Sequence, residues 1–150
     1  MIENSETQAR KSWMATLAKA PADVLADAWQ QADITQDFEW LRAPEIGTVM
    51  VRGATGGSGA AFNLGEMTVT RCALRLADGT VGHAYISGRN RQKAEIAALC
   101  DALMQTGEAT DVQAKILGPV SAAQSAARAT KAQKAAATKV DFFTLVRGED

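Results

Sequence analysis

Apolar residues recur along the first thirty positions with the period of a helix. Ala9, Trp13, Leu17 and Ala20 stand at i, i+4, i+8 and i+11, one face of a helix, and Ser5-Glu6-Thr7-Gln8 ahead of them has the form of a capping box. Pro21 suits the first turn of a second helix that carries Val24, Leu25, Ala28 and Trp29. Between Asp37 and Gly88 the pattern shortens to β-type runs: Phe38 to Arg42, Thr48 to Arg52, Met67 to Leu76 and Val81 to Ser87. Ala77-Asp78-Gly79-Thr80 joins the last two through an Asp-Gly pair, which tolerates the positive φ of a tight turn, so these strands pair antiparallel.

Asn90 is placed to cap a third helix running to about Gln105, with Ala94, Ala98 and Ala102 in one stripe, Leu99 and Leu103 beside it, and Gly107 to end it. Beyond a break at Gly118-Pro119, Ser121 to about Lys139 reads as an Ala-rich helix. Ala126, Ala129, Gln133, Ala136 and Val140 share one side of it, and Arg128, Lys131, Lys134 and Lys139 another. The chain then closes on Val140-Asp141-Phe142-Phe143-Thr144-Leu145-Val146-Arg147-Gly148, a dense apolar run where most domains trail into polar residues. Burying Phe142, Phe143, Leu145 and Val146 is worth roughly 6–12 kcal/mol at about 1.5–3 kcal/mol per side chain. The run is either the last strand of the chain's own sheet or an anchor into a partner. The expected fold is α+β: a small antiparallel sheet flanked by helices, with an Ala-rich C-terminal helix and an apolar tail. Residues 1–150 form a single domain in this reading, with 119–150 used for docking.

The 150 residues suffice for one domain of ordinary size. Aromatic residues make up only 5%, and Ala supplies much of the 47% hydrophobic content, so the core is modest. The net charge of −1 gives no reason to expect nucleic acid or membrane as partner. Charge is nevertheless uneven, because no acidic residue occurs from Val112 to Val140. The first residues are polar and acidic, unlike a secretory signal, and no window approaches the roughly 18–20 apolar residues of a membrane helix. Cys72 and Cys100 lack the spacing of a metal or redox motif and read as small core residues in a reducing compartment.

Two places invite a ligand. Gly53-Ala54-Thr55-Gly56-Gly57-Ser58-Gly59 is the most glycine-dense loop, and the amides around Gly56, Gly57 and Gly59 suit a phosphate cradle. It lacks the Gly-Lys-Ser/Thr ending of a P-loop and lies between β-type runs, which favours a plain connection. Gly88-Arg89-Asn90-Arg91 puts two guanidinium groups at the positive end of a helix, a setting for phosphate or carboxylate. The alternative is that Arg91 pairs with Glu95 and Arg89 braces a neighbouring loop. Arg71 and Arg75 share a strand face and either add positive charge or form its solvated side. His83 is the only histidine, so neither an all-histidine metal site nor a two-histidine acid-base pair can be built from one chain. A Cys72–His83 dyad across the hairpin has nothing nearby to activate the thiol.

Ser87-Gly88-Arg89-Asn90-Arg91-Gln92-Lys93-Ala94-Glu95, Cys100-Asp101-Ala102-Leu103-Met104-Gln105 and the run from Val140 to Gly148 together resemble the G-subunit (PhnG) family of the bacterial phosphonate carbon-phosphorus lyase system. Ser12-Trp13-Met14, Arg42-Ala43-Pro44-Glu45, Gly56-Gly57-Ser58-Gly59 and Thr70-Arg71-Cys72-Ala73 fall in family order, so the resemblance covers most of the chain from about Arg10. Ala54 and Thr55 depart from it in a loop that varies in the family, and the Ala-rich helix is plainer than usual.

The resemblance implies a cytoplasmic subunit of a large symmetric hetero-oligomer with H, I and J subunits, two copies of this chain per assembly. With the ATP-binding L protein, such an assembly attaches a phosphonate to the ribose of ATP and releases adenine. It implies no catalytic residue, metal or cofactor on this chain, ATP and phosphonate being substrates of the assembly, and it directs Phe142, Phe143, Leu145, Val146 and Arg147 to a partner interface. The rival readings are a stand-alone phosphate-ligand binder or enzyme using Arg89, Arg91 and the glycine loop, and a homodimer joined through the tail.

Overall fold

The structure, a computed structural model, describes residues 2–138. The elements run α1 (Ile2–Lys19), α2 (Ala22–Ala32), β1 (Phe38–Ala54), β2 (Ala61–Leu76), β3 (Val81–Ser87), α3 (Arg91–Leu103), α4 (Ala109–Val112), a π-helical turn (Gln113–Leu117) and α5 (Gly118–Ala137). The three strands form one antiparallel sheet in the order β1-β2-β3, and the chain is α+β as its pattern predicts.

Strand alternation sends Cys72, Leu74 and Leu76 of β2, with Ala84 and Ile86 of β3, toward α3, and all are buried. α3 meets them with Ala94, Ala98 and Ala102, each fully buried, beside Leu99 and Leu103. Small residues bring this helix so close to the sheet that a Cβ built on Gly82 would lie 2.0 Å from the Ala98 carbonyl oxygen. Leu17 of α1, Ala20 just beyond it, Leu25, Ala28 and Ala32 of α2, and Val112, Ile116, Leu117 and Val120 near the start of α5 complete one cluster around α3. The helices therefore stand on one face of the sheet.

On the opposite face Glu39, Arg42, Arg71, Arg75, His83 and Tyr85 are exposed. Arg71 donates from Nε to Glu45 Oε1 at 2.6 Å, Arg42 lies 3.3 Å from the same oxygen, and Arg75 pairs with Glu39. Arg71 and Arg75 thus do share a face, and cross-strand carboxylates neutralise both.

Two hairpins differ sharply. The β2–β3 turn is the tight one that Asp-Gly predicts: Gly79 has φ +91°, and Asp78 Oδ1 accepts from the Thr80 amide at 2.8 Å. The β1–β2 hairpin is much longer than its sequence suggests, because the runs 38–42 and 48–52 are parts of one seventeen-residue strand. Irregularities in register between Trp40 and Arg42, and again between Arg42 and Glu45, absorb Pro44 within the strand. Pairing with β3 begins only at Val69↔Ser87, so residues 48–54 and 61–68 extend past the body as a two-stranded arm.

Three boundary expectations are corrected. α1 begins at Ile2, so Ser5 and Gln8 lie within the helix and Ser5 is not its N-cap. α3 ends at Leu103, with Met104 as its C-cap, a turn before Gly107. Gly118-Pro119 is no break, because the widened π turn before it, with the Gly118 amide donating to the Gln113 carbonyl, brings the proline in at the first turn of α5. Beyond Gln124, whose Nε2 donates to the Thr16 carbonyl at 2.8 Å, α5 is exposed through Thr138.

Candidate functional site

The glycine loop and the two arginines lie apart. Gly56 and Gly57 sit in a 3-10 turn at the tip of the β1–β2 arm, while Arg89 and Arg91 stand where β3 passes into α3. The Gly88 amide between them donates to the Thr68 carbonyl at the arm's base. Seven residue steps along β2 lead from that base at Thr68 to Ala61, about 23 Å of strand, too far for one small ligand to span.

At the tip the glycines answer to the turn itself. Gly56 has φ +61°, the Gly59 amide donates to the Thr55 carbonyl at 2.8 Å, and a Cβ on Gly59 would sit 2.4 Å from that oxygen. The Gly59 N–H is therefore engaged within the loop.

At the β3–α3 junction Gly88 takes φ +89°. Thr70 Oγ1 donates to the Gly88 carbonyl at 2.7 Å and accepts from the Asn90 amide at 3.2 Å, fixing the approach to the helix. Asn90 Oδ1 then accepts from the Lys93 amide at 2.8 Å, the expected N-cap. Arg89 and Arg91 are exposed, and neither enters an ion pair among the described residues, so the Arg91–Glu95 pair is not formed.

A Cys72–His83 dyad is excluded by register. Cys72 pairs across the ladder with Ala84, which sends the thiol toward α3 and His83 to the open face. Burial raises the Cys72 thiol to about 11 and the Cys100 thiol to about 12, which makes both poor nucleophiles at neutral pH. Phe142, Phe143, Leu145, Val146 and Arg147 lie outside the described residues.

The polar centre that sequence reading missed is Asp101. It is fully buried on α3, yet both its oxygens are saturated. Oδ1 accepts from Arg10 Nε at 3.1 Å and Trp13 Nε1 at 2.9 Å, and Oδ2 accepts from Arg10 Nη2 at 2.7 Å and the His83 amide at 2.9 Å. Arg10 Nη2 also reaches the Val81 carbonyl, to which Gln105 Nε2 donates as well. One carboxylate thus ties α1, β3 and α3 together. Its sequence signal was an acidic residue interrupting the apolar run from Ile96 to Met104.

Comparison with known proteins extends over the same ground. The family model described as "Phosphonate metabolism protein PhnG" matches residues 8–148. A curated relative from Rhizobium meliloti (strain 1021), "Alpha-D-ribose 1-methylphosphonate 5-triphosphate synthase subunit PhnG", is 43% identical over 141 residues, covering 94% of this chain and 90% of its own. The family match spans every described element except the first turns of α1, and the chain belongs to the PhnG family.

Proposed function

We propose that this chain is a subunit of the enzyme that forms alpha-D-ribose 1-methylphosphonate 5-triphosphate. The observation that carries this reading is identity of 43% across 94% of the chain to a relative named as that synthase's PhnG subunit. The product's name restricts the chemistry. A ribose bearing a 5-triphosphate and a methylphosphonate at C1 differs from ATP only in what occupies C1. The bond from C1 to the adenine nitrogen breaks, a bond from C1 to a phosphonate oxygen forms, and adenine leaves.

This chain's part is assembly rather than chemistry. Its described polar centre, Asp101, is closed off by Arg10, Trp13 and the His83 amide and holds the fold together. The apolar run Phe142, Phe143, Leu145 and Val146, with Arg147, anchors the chain in a neighbouring subunit of the I type. The H and J subunits and the ATP-binding L protein complete a cytoplasmic assembly with two copies of this chain. Arg89 and Arg91 supply guanidinium groups for a partner carboxylate or a phosphate at its surface.

Co-expression with the I-type, H-type and L-type proteins of the same organism tests the reading. Size-exclusion chromatography with light scattering should give a stable hetero-complex, and adenine release from ATP with methylphosphonate should require this chain. Adenine release at an undiminished rate without it, or a lone chain that ignores those proteins, would refute the proposal.

A further inference from the structure

The arm formed by residues 48–54 and 61–68 meets the rest of the described chain at its base, where the Gly88 amide donates to the Thr68 carbonyl and Ser87 Oγ to Met67 Sδ at 3.7 Å, and no further described strand pairs with it. Its register places Val49 opposite Met67, Val51 opposite Gly65 and Gly53 opposite Phe62 on one face, with Leu64 at a register irregularity beside them. The other face carries Thr48 opposite Thr68 and Met50 opposite Glu66. Met50, Phe62, Leu64 and Met67 are exposed, Leu64 by 67%. A two-stranded ribbon alone is marginally stable in water, so apolar side chains at this density point to a covering layer.

Among the described residues both edges are open as well. In the described sheet β1 pairs with β2 alone, and β2 gains its second neighbour at Val69. Proteins guard such edges with proline, lysine or inward charge. From Thr48 to Thr68 there is no proline or lysine, and the only charged residues are Arg52 and Glu66, which sum to zero.

Resting on the reading of this chain as a synthase subunit, we propose that the arm is its insertion element and that an apolar, near-neutral groove of a different subunit encloses it on both faces. Size selects this occupant over a second copy. Face-to-face pairing of two arms covers about seven residues on each, whereas a stable interface engages about 20–30 a side. The whole arm with its tip, 48–68, has 21 residues and reaches that range only if enclosed. Two clefts on the body carry several charged groups, one Asp37, Glu39, Arg75 and Asp78 and another Glu6 and Arg10, whereas a third is lined by Ala26, Trp29, Ile34 and Ile96 beside Asp33; a second copy's arm seated there would show in the test below as a homodimer.

The test uses the full chain co-expressed with the other synthase subunits, in wild type and in two variants, Met67→Asp on one face and Met50→Asp on the other. Each variant should lower hetero-complex recovery at least about tenfold, as loss of a buried apolar anchor does. Melting of the lone chain should move by no more than about 2 °C, because neither residue packs on the core. In the wild-type complex, amides of 48–54 and 61–67 should exchange at least about tenfold more slowly than in the lone chain. Normal recovery of both variants from an assembling wild type overturns the arm and leaves the subunit reading standing. Sensitivity at one face only overturns enclosure, and a homodimer that either variant dissolves overturns the heterologous partner. A wild type that meets no subunit at all removes the reading and the arm together.

Discussion

Arg10 and Asp101 are 91 positions apart in sequence and meet through two hydrogen bonds, the shorter 2.7 Å. Their exposures are unequal: the Asp101 side chain is fully buried, whereas that of Arg10 is 34% exposed. Water can reach the arginine if the carboxylate is removed but cannot replace the four donors around the carboxylate.

Removing Arg10 should therefore hurt more than removing Asp101. Arg10→Ala leaves the fully buried carboxylate without its cation, and breaking a buried pair in that way costs about 3–5 kcal/mol. Asp101→Ala lets water reach Arg10 but leaves the His83 amide and the Trp13 indole N–H without their acceptor, and should cost about 1–3 kcal/mol. At about 2–4 °C per kcal/mol for a chain of this size, melting should fall by about 6–20 °C for the first and about 2–12 °C for the second. Denaturant unfolding of both variants checks the order, and an equal or smaller loss for Arg10→Ala would contradict it.

Gly82 provides a second test, of packing rather than charge. An added Cβ would stand 2.0 Å from the Ala98 carbonyl oxygen and 2.8 Å from Ala102 Cβ, so β3 and α3 must separate. Gly82→Ala should cost about 3 kcal/mol or more, the upper end of overpacking. Gly65→Ala, with nothing within 4 Å of its added Cβ, should be neutral or slightly stabilising. Thermal melts of the two alanine variants should separate clearly, and overlapping melts would refute the close approach.

The parts legible in sequence were those set by neighbours along the chain. The Asp78-Gly79 turn, the Asn90 cap and the stripe Ala94, Ala98 and Ala102 depend on local spacing, and each formed where its residues predict. The long β1 was not legible, because Pro44 and Gly47 are punctuation in isolation and only pairing with β2, through irregular register, carries the strand across them. Nor did local pattern reveal the π turn that admits Pro119. Among candidate sites, Arg89 and Arg91 fell at a helix start as expected, while Gly56 and Gly59 served the turn at the arm's tip. Asp101 escaped because its partners Arg10 and Trp13 come from α1, and no spacing along the chain connects them.

The Asn90 cap separates local geometry from charge at the start of α3. Asn90→Ala removes the acceptor of the Lys93 amide and should cost about 1 kcal/mol, within the range for lost N-caps. Arg91→Ala, one residue on and exposed, should stay within about 0.5 kcal/mol. Urea midpoints at constant slope decide this, and a larger loss for Arg91→Ala would show that the guanidinium has a structural partner.

Alkaline stability follows from the two buried thiols. In the unfolded chain both should titrate near their ordinary 9.0, whereas burial holds Cys72 at about 11 and Cys100 at about 12 in the fold. Below pH 9 both states keep their protons and these groups add no pH dependence. Above it the unfolded chain releases protons first and binds fewer than the native one, so stability falls as pH rises from 9 toward 11 and 12. Lys93 acts in the opposite sense. Burial lowers its affinity for the proton below the ordinary 10.5, so its contribution grows as pH rises toward 10.5. Cys72→Ala with Cys100→Ala should flatten the alkaline decline even though the smaller side chains lower stability at every pH. Urea unfolding at steps from pH 8 to about 11 reads the slope directly. An unchanged slope in the double variant would assign the decline to other groups.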